Sequence, residues 1–237
     1  MTDLLGVEEP SLDLRCAVLT STLDESPAGT SPGVSRWVLV EAAQPWPVPA
    51  TAHAVFDEVA DKTVLKTDTS RTLLVSSNSP TRDSAPHEGA RIIVYDCVRG
   101  NETSDSLIGF SGQERVVGFD ELGSLITAAH AGDFIGDPVA ATDVLICTHG
   151  TRDRCCGSFG PRLFTEAVAL QASGGLPSNV RVWRASHIGG HRFSPTGVSF
   201  PDGTLWAGLD TDALAAITSH SAQGVERVSE LARGNAG

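Results

Sequence analysis

The sequence is poor in several residue types, and each shortage narrows what the protein can be. Lys and Arg total 17 against 29 Asp and Glu, which gives a formal net charge of -12. This balance argues against a nucleic-acid-binding protein, because such a protein needs a basic stripe to neutralise phosphates. Only 5% of the residues are aromatic, yet 41% are hydrophobic, which is enough for 237 residues to bury a core.

Long apolar runs are also missing. No stretch approaches the roughly 18 apolar residues of a membrane helix, and residues 1–10 lack the basic start and apolar run of a secretory signal. The sequence therefore predicts a soluble, cytoplasmic protein that does not bind membranes. Thiols stay reduced in that compartment, so the five cysteines indicate a metal or redox site more than structural disulfides.

Hydrophobic periodicity predicts alternating strands and helices along the chain. Residues 1–34 are rich in Ser, Thr, Pro and Gly and are expected to be irregular. In the first half the predicted strands are 35–42, 71–76, 91–97 and 114–118, and the predicted helices are 51–62 and 120–131. In the second half the predicted strands are 143–147, 180–186, 197–200 and 204–207, and the predicted helices are 160–171 and 211–222.

The connections support the same division of the chain. Gly132 is placed to stop helix 120–131, and Pro161 would lie in the first turn of helix 160–171, where proline is favoured. The run Pro201-Asp202-Gly203 predicts a hairpin turn, and a polar tail follows the last helix. We expect an α/β fold with an N-terminal domain over 1–135 and a C-terminal domain over 136–237. No residue-level repeat relates the two.

Cysteines and histidines cluster in less than a fifth of the chain. The cluster comprises Cys147, His149, Cys155, Cys156, His187 and His191. Two soft thiolates with two imidazoles suit either zinc or a [2Fe-2S] cluster. Gly189 and Gly190 lie between the last two histidines and would let the backbone approach such a centre.

Within this cluster the residues alone leave choices open. Adjacent side chains diverge, so either Cys155 or Cys156 is expected to be a ligand and the other its packed neighbour. His149 is expected beside the ligands and not among them. Cys16 and Cys97 have no cysteine or histidine companions and are interpreted as small buried residues.

The combination of C-x8-C from Cys147 to Cys156 with H-x-G-G-H from His187 to His191 resembles the sucrase/ferredoxin-like family. The resemblance extends over about residues 140–208 and includes residues 37–46. It implies a [2Fe-2S] cluster, with the two cysteines on one iron and the two histidines on the other. It also implies two thioredoxin-like or α+β halves, the C-terminal one a thioredoxin-like ferredoxin domain. Because Cys16 and Cys97 lack companions, the N-terminal half is interpreted as a scaffold or a degenerate thioredoxin-like domain without ligands of its own.

The expected function is then electron transfer or redox sensing, with a reductase or oxidase as partner and no substrate-converting activity. Neutral imidazoles in place of thiolates raise the cluster potential above that of all-cysteine ferredoxins and couple reduction to protonation. The alternatives are a thiol-disulfide oxidoreductase, although no C-x-x-C is present, and a zinc-binding interaction protein. The arginines flanking the site either steer an acidic partner or are solvated loop charges: Arg152, Arg154, Arg184 and Arg192.

Overall fold

The computed structural model describes residues 15–77, 89–99, 107–219, 224, 226 and 228–237. Within them the chain is an α/β protein with a mixed ten-stranded sheet and four α-helices, which confirms the predicted class. The helices are α1 (Cys16–Thr22), α2 (Phe119–Ala131), α3 (Arg154–Ala172) and α4 (Thr211–Ser219). The strands are β1 (Arg36–Glu41), β2 (Ser70–Ser77), β3 (Gly89–Arg99), β4 (Leu107–Gly118), β5 (Asp137–Pro138), β6 (Thr142–Cys147), β7 (Val180–Ala185), β8 (Gly197–Phe200), β9 (Thr204–Trp206) and β10 (Ala232–Asn235).

The sheet consists of two halves with the same arrangement of strands, in the order β10-β9-β8-β6-β7-β2-β1-β3-β4-β5. In the first half β1 pairs parallel with β2 and antiparallel with β3, and β4 and β5 follow in antiparallel pairs. In the second half β6 pairs in the same way with β7 and β8, followed by β9 and β10. β2 and β7 join the halves as an antiparallel pair. The division near residue 135 stays a prediction.

Alternation along the strands gives the sheet two apolar faces. One face is covered by helices, with α2 on the first half and α3 and α4 on the second. The other face encloses a core shared by both halves. There Phe200 of β8 stacks on Tyr95 of β3, with ring centroids 4.0 Å apart, and its edge meets Phe110 of β4 at 5.5 Å. The sheet therefore curves enough for its two halves to pack against each other.

A buried carboxylate also joins the halves. Asp143 of β6 is fully buried and accepts hydrogen bonds from the Tyr95 hydroxyl, the Trp183 indole at 2.8 Å and Arg181 at 2.6 Å. Arg181 also donates to Glu114 of β4 at 2.7 Å. Each polar group around Asp143 thus has a partner, as burial requires.

The helix predicted over 51–62 is wrong. The chain there forms short 3-10 turns, Ala50–Ala52, Ala54–Phe56 and the start of Lys62–Leu65. His53 has an extended backbone, and its ring nitrogen accepts the Val55 N–H at 3.2 Å. A side chain therefore replaces the carbonyl that a continuous helix would supply.

Other boundaries need correction as well. α3 begins at Arg154 and not at 160, because Asp153 caps it by accepting the Cys155 N–H at 2.8 Å; Pro161 consequently lies inside the helix. Residues 16–22 of the segment expected to be irregular form α1, and the expected polar tail contains β10. β4 starts at Leu107, seven residues before its predicted start, and the two-residue β5 was not predicted.

Several local predictions are confirmed. Gly132 ends α2 with φ at 94°, a left-handed conformation that favours glycine. The predicted hairpin turn joins β8 and β9, and Gly203 within it has φ at 70°. Residues 220–222 of the last predicted helix lie outside the described residues.

Candidate metal centre

Cys147, Cys156 and His187 come together at one end of the sheet. Cys147 is the last residue of β6, and His187 follows the parallel strand β7, so both lie where these strands end. Cys156 lies in the first turn of α3, which starts above the same edge. Their ligand atoms lie within 4.8 Å of one another, and Cys156 Sγ is 4.0 Å from His187 Nδ1. Both cysteines are fully buried, whereas the histidine is half-buried.

Glycines bring α3 against the end of β6. A Cβ atom on Gly160 would lie 1.9 Å from the Cys147 carbonyl oxygen, and one on Gly157 would lie 2.4 Å from Gly150 Cα. No side chain could occupy either place without moving the backbone. The separation of Cys147 and Cys156 therefore depends on these glycines.

The Cys147 sulfur lies in surroundings that favour its anionic form. A hydrogen bond from Cys156, then others from His187 and from the backbone N–H groups of Ile188 and His149, lower its pKa although burial opposes them. The same bond, with burial, raises the pKa of Cys156. The protonation of each sulfur thus depends on the other, an arrangement suited to a cation that would displace the thiol protons.

His149 supports the site without joining it. Its Nδ1 accepts the backbone N–H of His187 at 3.2 Å, and its Nε2 faces the carbonyl oxygens of Trp46 and Pro47 at 3.3 and 3.1 Å. Burial lowers its pKa, which favours the neutral ring that this pattern needs. Both nitrogens are engaged, so the ring orients the His187 backbone, and residues 46 and 47 of the first half orient the ring.

His191 lies in a second group, with Asp153 and Cys155, whose ligand atoms also lie within 4.8 Å of one another. Its Nδ1 is 2.9 Å from Asp153 Oδ2, without hydrogen-bond alignment. The ring centroids of His187 and His191 are 6.4 Å apart. The structure therefore brings three of the four expected ligands together and places the fourth beside them.

Comparison with known proteins identifies the family. The model of the sucrase/ferredoxin-like family matches residues 27–234, which span both halves of the sheet and all of these residues. The chain belongs to the sucrase/ferredoxin-like family.

Two curated yeast relatives share part of the sequence, and both carry the name altered inheritance of mitochondria protein 32. The protein from Meyerozyma guilliermondii is 40% identical over 58 residues, 24% of this chain and 21% of that protein. The one from Debaryomyces hansenii is 30% identical over 107 residues, 43% of this chain and 38% of that protein. The chain thus spans well under half of either relative. No solved structure matches it.

Two arginines distant in sequence bind the histidine-bearing loop of this sucrase/ferredoxin-like protein. Arg71 of β2 donates to the carbonyl oxygens of His187 and, at 2.9 Å, of Ile188. Arg233 of β10 donates to the Gly189 carbonyl oxygen at 3.1 Å. Sequence reasoning missed both arginines, because neither lies near the cysteine and histidine pattern.

The remaining cysteines and flanking arginines differ in their surroundings. Cys155 is buried, and that burial raises its pKa. Cys16 is exposed, contrary to its interpretation as a buried residue, and Cys97 is half-buried. Among the arginines, Arg192 pairs with Glu25 at 2.9 Å and Arg184 lies 4.1 Å over the Phe164 ring.

Proposed function

We propose that this protein holds a [2Fe-2S] cluster and serves as an electron carrier or redox sensor. The ligands would be Cys147, Cys156, His187 and His191. The observation that carries the proposal is the convergence of two buried sulfurs and an imidazole within 4.8 Å. Backbone N–H groups pointing at the Cys147 sulfur support it, because such donors stabilise anionic sulfur.

The four proposed ligands fit a [2Fe-2S] cluster if one of them changes its position. Three ligands already face one another, and the fourth, His191, lies on the same loop but beside Asp153. The proposal requires His191 to leave Asp153 when the cluster is bound. Cluster chemistry would supply one-electron transfer at a potential above that of all-cysteine ferredoxins.

The protein's own residues would hold and shield the centre. The Cys147 and Cys156 side chains are enclosed by the shared core, so the sulfur side is closed to water. The His191 side chain is 40% exposed, so the histidine side is the open one. A partner would therefore exchange electrons on the histidine side. Coupling of reduction to proton uptake on the histidine side stays a prediction.

The arrangement of strands supports thioredoxin-like halves. In each half the first strand pairs parallel with the second and antiparallel with the third, and the fourth follows the third. A helix follows that fourth strand in both halves, α2 after β4 and α4 after β9. We infer that both halves are thioredoxin-like and that the first lost its ligands, since Cys97 has no companion there.

The partner and the compartment are part of the same proposal. We infer a cytoplasmic reductase or oxidase as partner and no substrate-converting activity of the chain itself. No helix among the described residues has both the length and the apolar composition to cross a bilayer. Arg152 and Arg154 are exposed near the site and suit an acidic partner surface.

A thiol-disulfide oxidoreductase is the second candidate, favoured by the hydrogen-bonded pair of Cys147 and Cys156 with a lowered pKa at Cys147. Burial weighs against it. Both side chains are fully buried, and a nucleophilic thiolate must reach a substrate sulfur.

Anaerobic purification of the full chain tests these candidates. We expect a coloured protein with two irons and two sulfides per chain and a rhombic EPR signal after one-electron reduction. Cys156→Ser should lose the iron. The matched control Cys155→Ser should retain it, because Cys155 lies in the neighbouring group. A colourless protein with stoichiometric zinc would contradict the proposal, and so would loss of iron in Cys155→Ser alone.

A further inference from the structure

Two arginines, Arg233 buried and Arg71 half-buried, hold the loop that carries both histidines. Arg71 reaches it from β2 of the first half and donates to the carbonyl oxygens of His187 and Ile188. Arg233 reaches it from β10 and donates to Gly189 at 3.1 Å and to the Thr30 carbonyl oxygen at 2.7 Å. The two guanidinium groups thus bind three successive carbonyls, from residues 187 to 189.

Glycine makes this contact possible. A Cβ atom on Gly190 would lie 2.5 Å from the guanidinium carbon of Arg233, and the residue has φ at 70°. The loop backbone therefore passes directly beside the positive charge. A planar, forked donor such as guanidinium can bridge carbonyls in this way, whereas a lysine ammonium cannot reproduce the fork.

In the described part of the chain neither guanidinium forms an ion pair with a carboxylate. Other arginines of the sheet do, for example Arg36 with Asp96 and Arg181 with Asp143. Arg71 donates to the backbone of the candidate ligand His187, and Arg233 donates to Gly189 on the same loop, so both cations lie beside the candidate centre. A buried cation is costly without an anion. Negative charge added at the candidate centre would lie near both guanidinium groups and offset that cost.

We propose that Arg71 and Arg233 are positioning residues that fix the His187–Gly190 loop and favour the reduced, negatively charged state of the centre. This inference rests on the proposed function. Two thiolates and two neutral imidazoles leave an oxidised [2Fe-2S] core without net charge. One electron from an external one-electron donor then adds a single negative charge, and two neighbouring cations stabilise that state over the oxidised one.

Redox titration of the intact, iron-loaded protein tests the effect of charge. At a fixed applied potential, Arg71→Gln and Arg233→Gln should each lower the ratio of reduced to oxidised protein about tenfold, which is ~59 mV for one electron. Arg162→Gln is the matched control. Its side chain is 81% exposed on α3, and screening should keep its effect within about twofold.

Lysine variants separate charge from positioning, and they also provide a folded protein if a glutamine variant fails to fold. Arg71→Lys and Arg233→Lys should keep the ratio within about threefold of the unchanged protein, because the charge remains. They should nevertheless accelerate hydrogen exchange at the His187 and Ile188 amides, because the fork is lost. Exchange is measured by mass spectrometry or NMR and does not depend on activity.

Unchanged ratios in iron-loaded glutamine variants would overturn the role of charge. Unchanged exchange in all four variants would overturn the positioning role. Absence of iron and sulfide from the unsubstituted protein would instead refute the proposed function, and the role of charge with it. Hydrogen exchange would still decide whether the arginines fix the loop.

Discussion

Gly160 lets α3 pack closely against β6 because it has no side chain. It lies one turn after Cys156 in α3, directly against the Cys147 carbonyl at the end of β6. The helix can approach the strand this closely because no Cβ intervenes. The relative position of the two sulfurs consequently depends on a residue that binds nothing.

Gly160→Ala tests this dependence. The added Cβ would lie 1.9 Å from the Cys147 carbonyl oxygen, so α3 must move outward. We expect overpacking to lower the free energy of unfolding by about 1–3 kcal/mol. The higher helix propensity of alanine should offset about 1 kcal/mol of that loss. Iron content should fall too, as measured by urea unfolding and metal analysis. Gly33→Ala is the matched control, since nothing lies within 4 Å of its added Cβ. Full iron content at unchanged stability would contradict this role.

At the scale of elements, a histidine fastens α2 to the sheet. His130 lies in the last turn of α2, and its two ring nitrogens contact the hydroxyls of Ser70 and Thr72 on β2, the latter at 2.7 Å. Arg36 of β1 donates to its carbonyl oxygen at 3.1 Å. Burial, followed by the charge of Arg36, lowers the pKa of His130 to about 4. The ring is therefore neutral at physiological pH.

This low pKa predicts that acid weakens the protein through His130. Between pH 6.5 and about 4 the unfolded chain binds a proton at this residue that the folded protein does not, so stability falls as pH falls through that range. The loss is at most about 3 kcal/mol and is complete near the folded-state pKa. Urea unfolding at pH 7.5, 5.5 and 4.5 should give a shallower pH slope for His130→Gln. Equal slopes for the two proteins would show that His130 does not titrate in this way.

Over the whole molecule, the curved sheet makes the two halves mutually dependent. Phe200 from the second half packs against Tyr95, Phe110 and Trp37 from the first. The hydrogen bonds of Asp143 cross the same core. The candidate centre lies at one end of this core, so its ligands depend on packing in both halves.

Phe200→Ala should therefore destabilise both halves together, by about 3–5 kcal/mol. Tryptophan fluorescence and far-UV circular dichroism should report one shared unfolding transition at a lower urea concentration. Phe119→Ala is the control, because that ring is 50% exposed and should cost far less. Two separate transitions, of which only one moves, would show that the halves fold independently.

How much of this follows from sequence depends on the range of the interactions. β6 is buried along its whole length and β7 at four of its six residues, so their largely apolar patterns predict both strands nearly to the residue. The cluster of candidate ligands follows from residue type and spacing, whereas the choice of Cys156 over Cys155 follows from the family resemblance. The pairing of His191 with Asp153 does not, because spacing says nothing about where a ring turns. Arg71 and Arg233 were missed because folding alone brings them to the loop.

The contacts of Arg233 also constrain the order of events in the cell. They join residues 30, 189 and 233, and the Thr30 N–H in turn donates to the Arg233 carbonyl oxygen at 3.1 Å. Arg233 follows His191 by 42 residues, so it is synthesised after all the cysteines and histidines of the candidate centre. The loop therefore acquires the second of its two cations last, and it reaches its final geometry only when residues from both ends of the described chain have met.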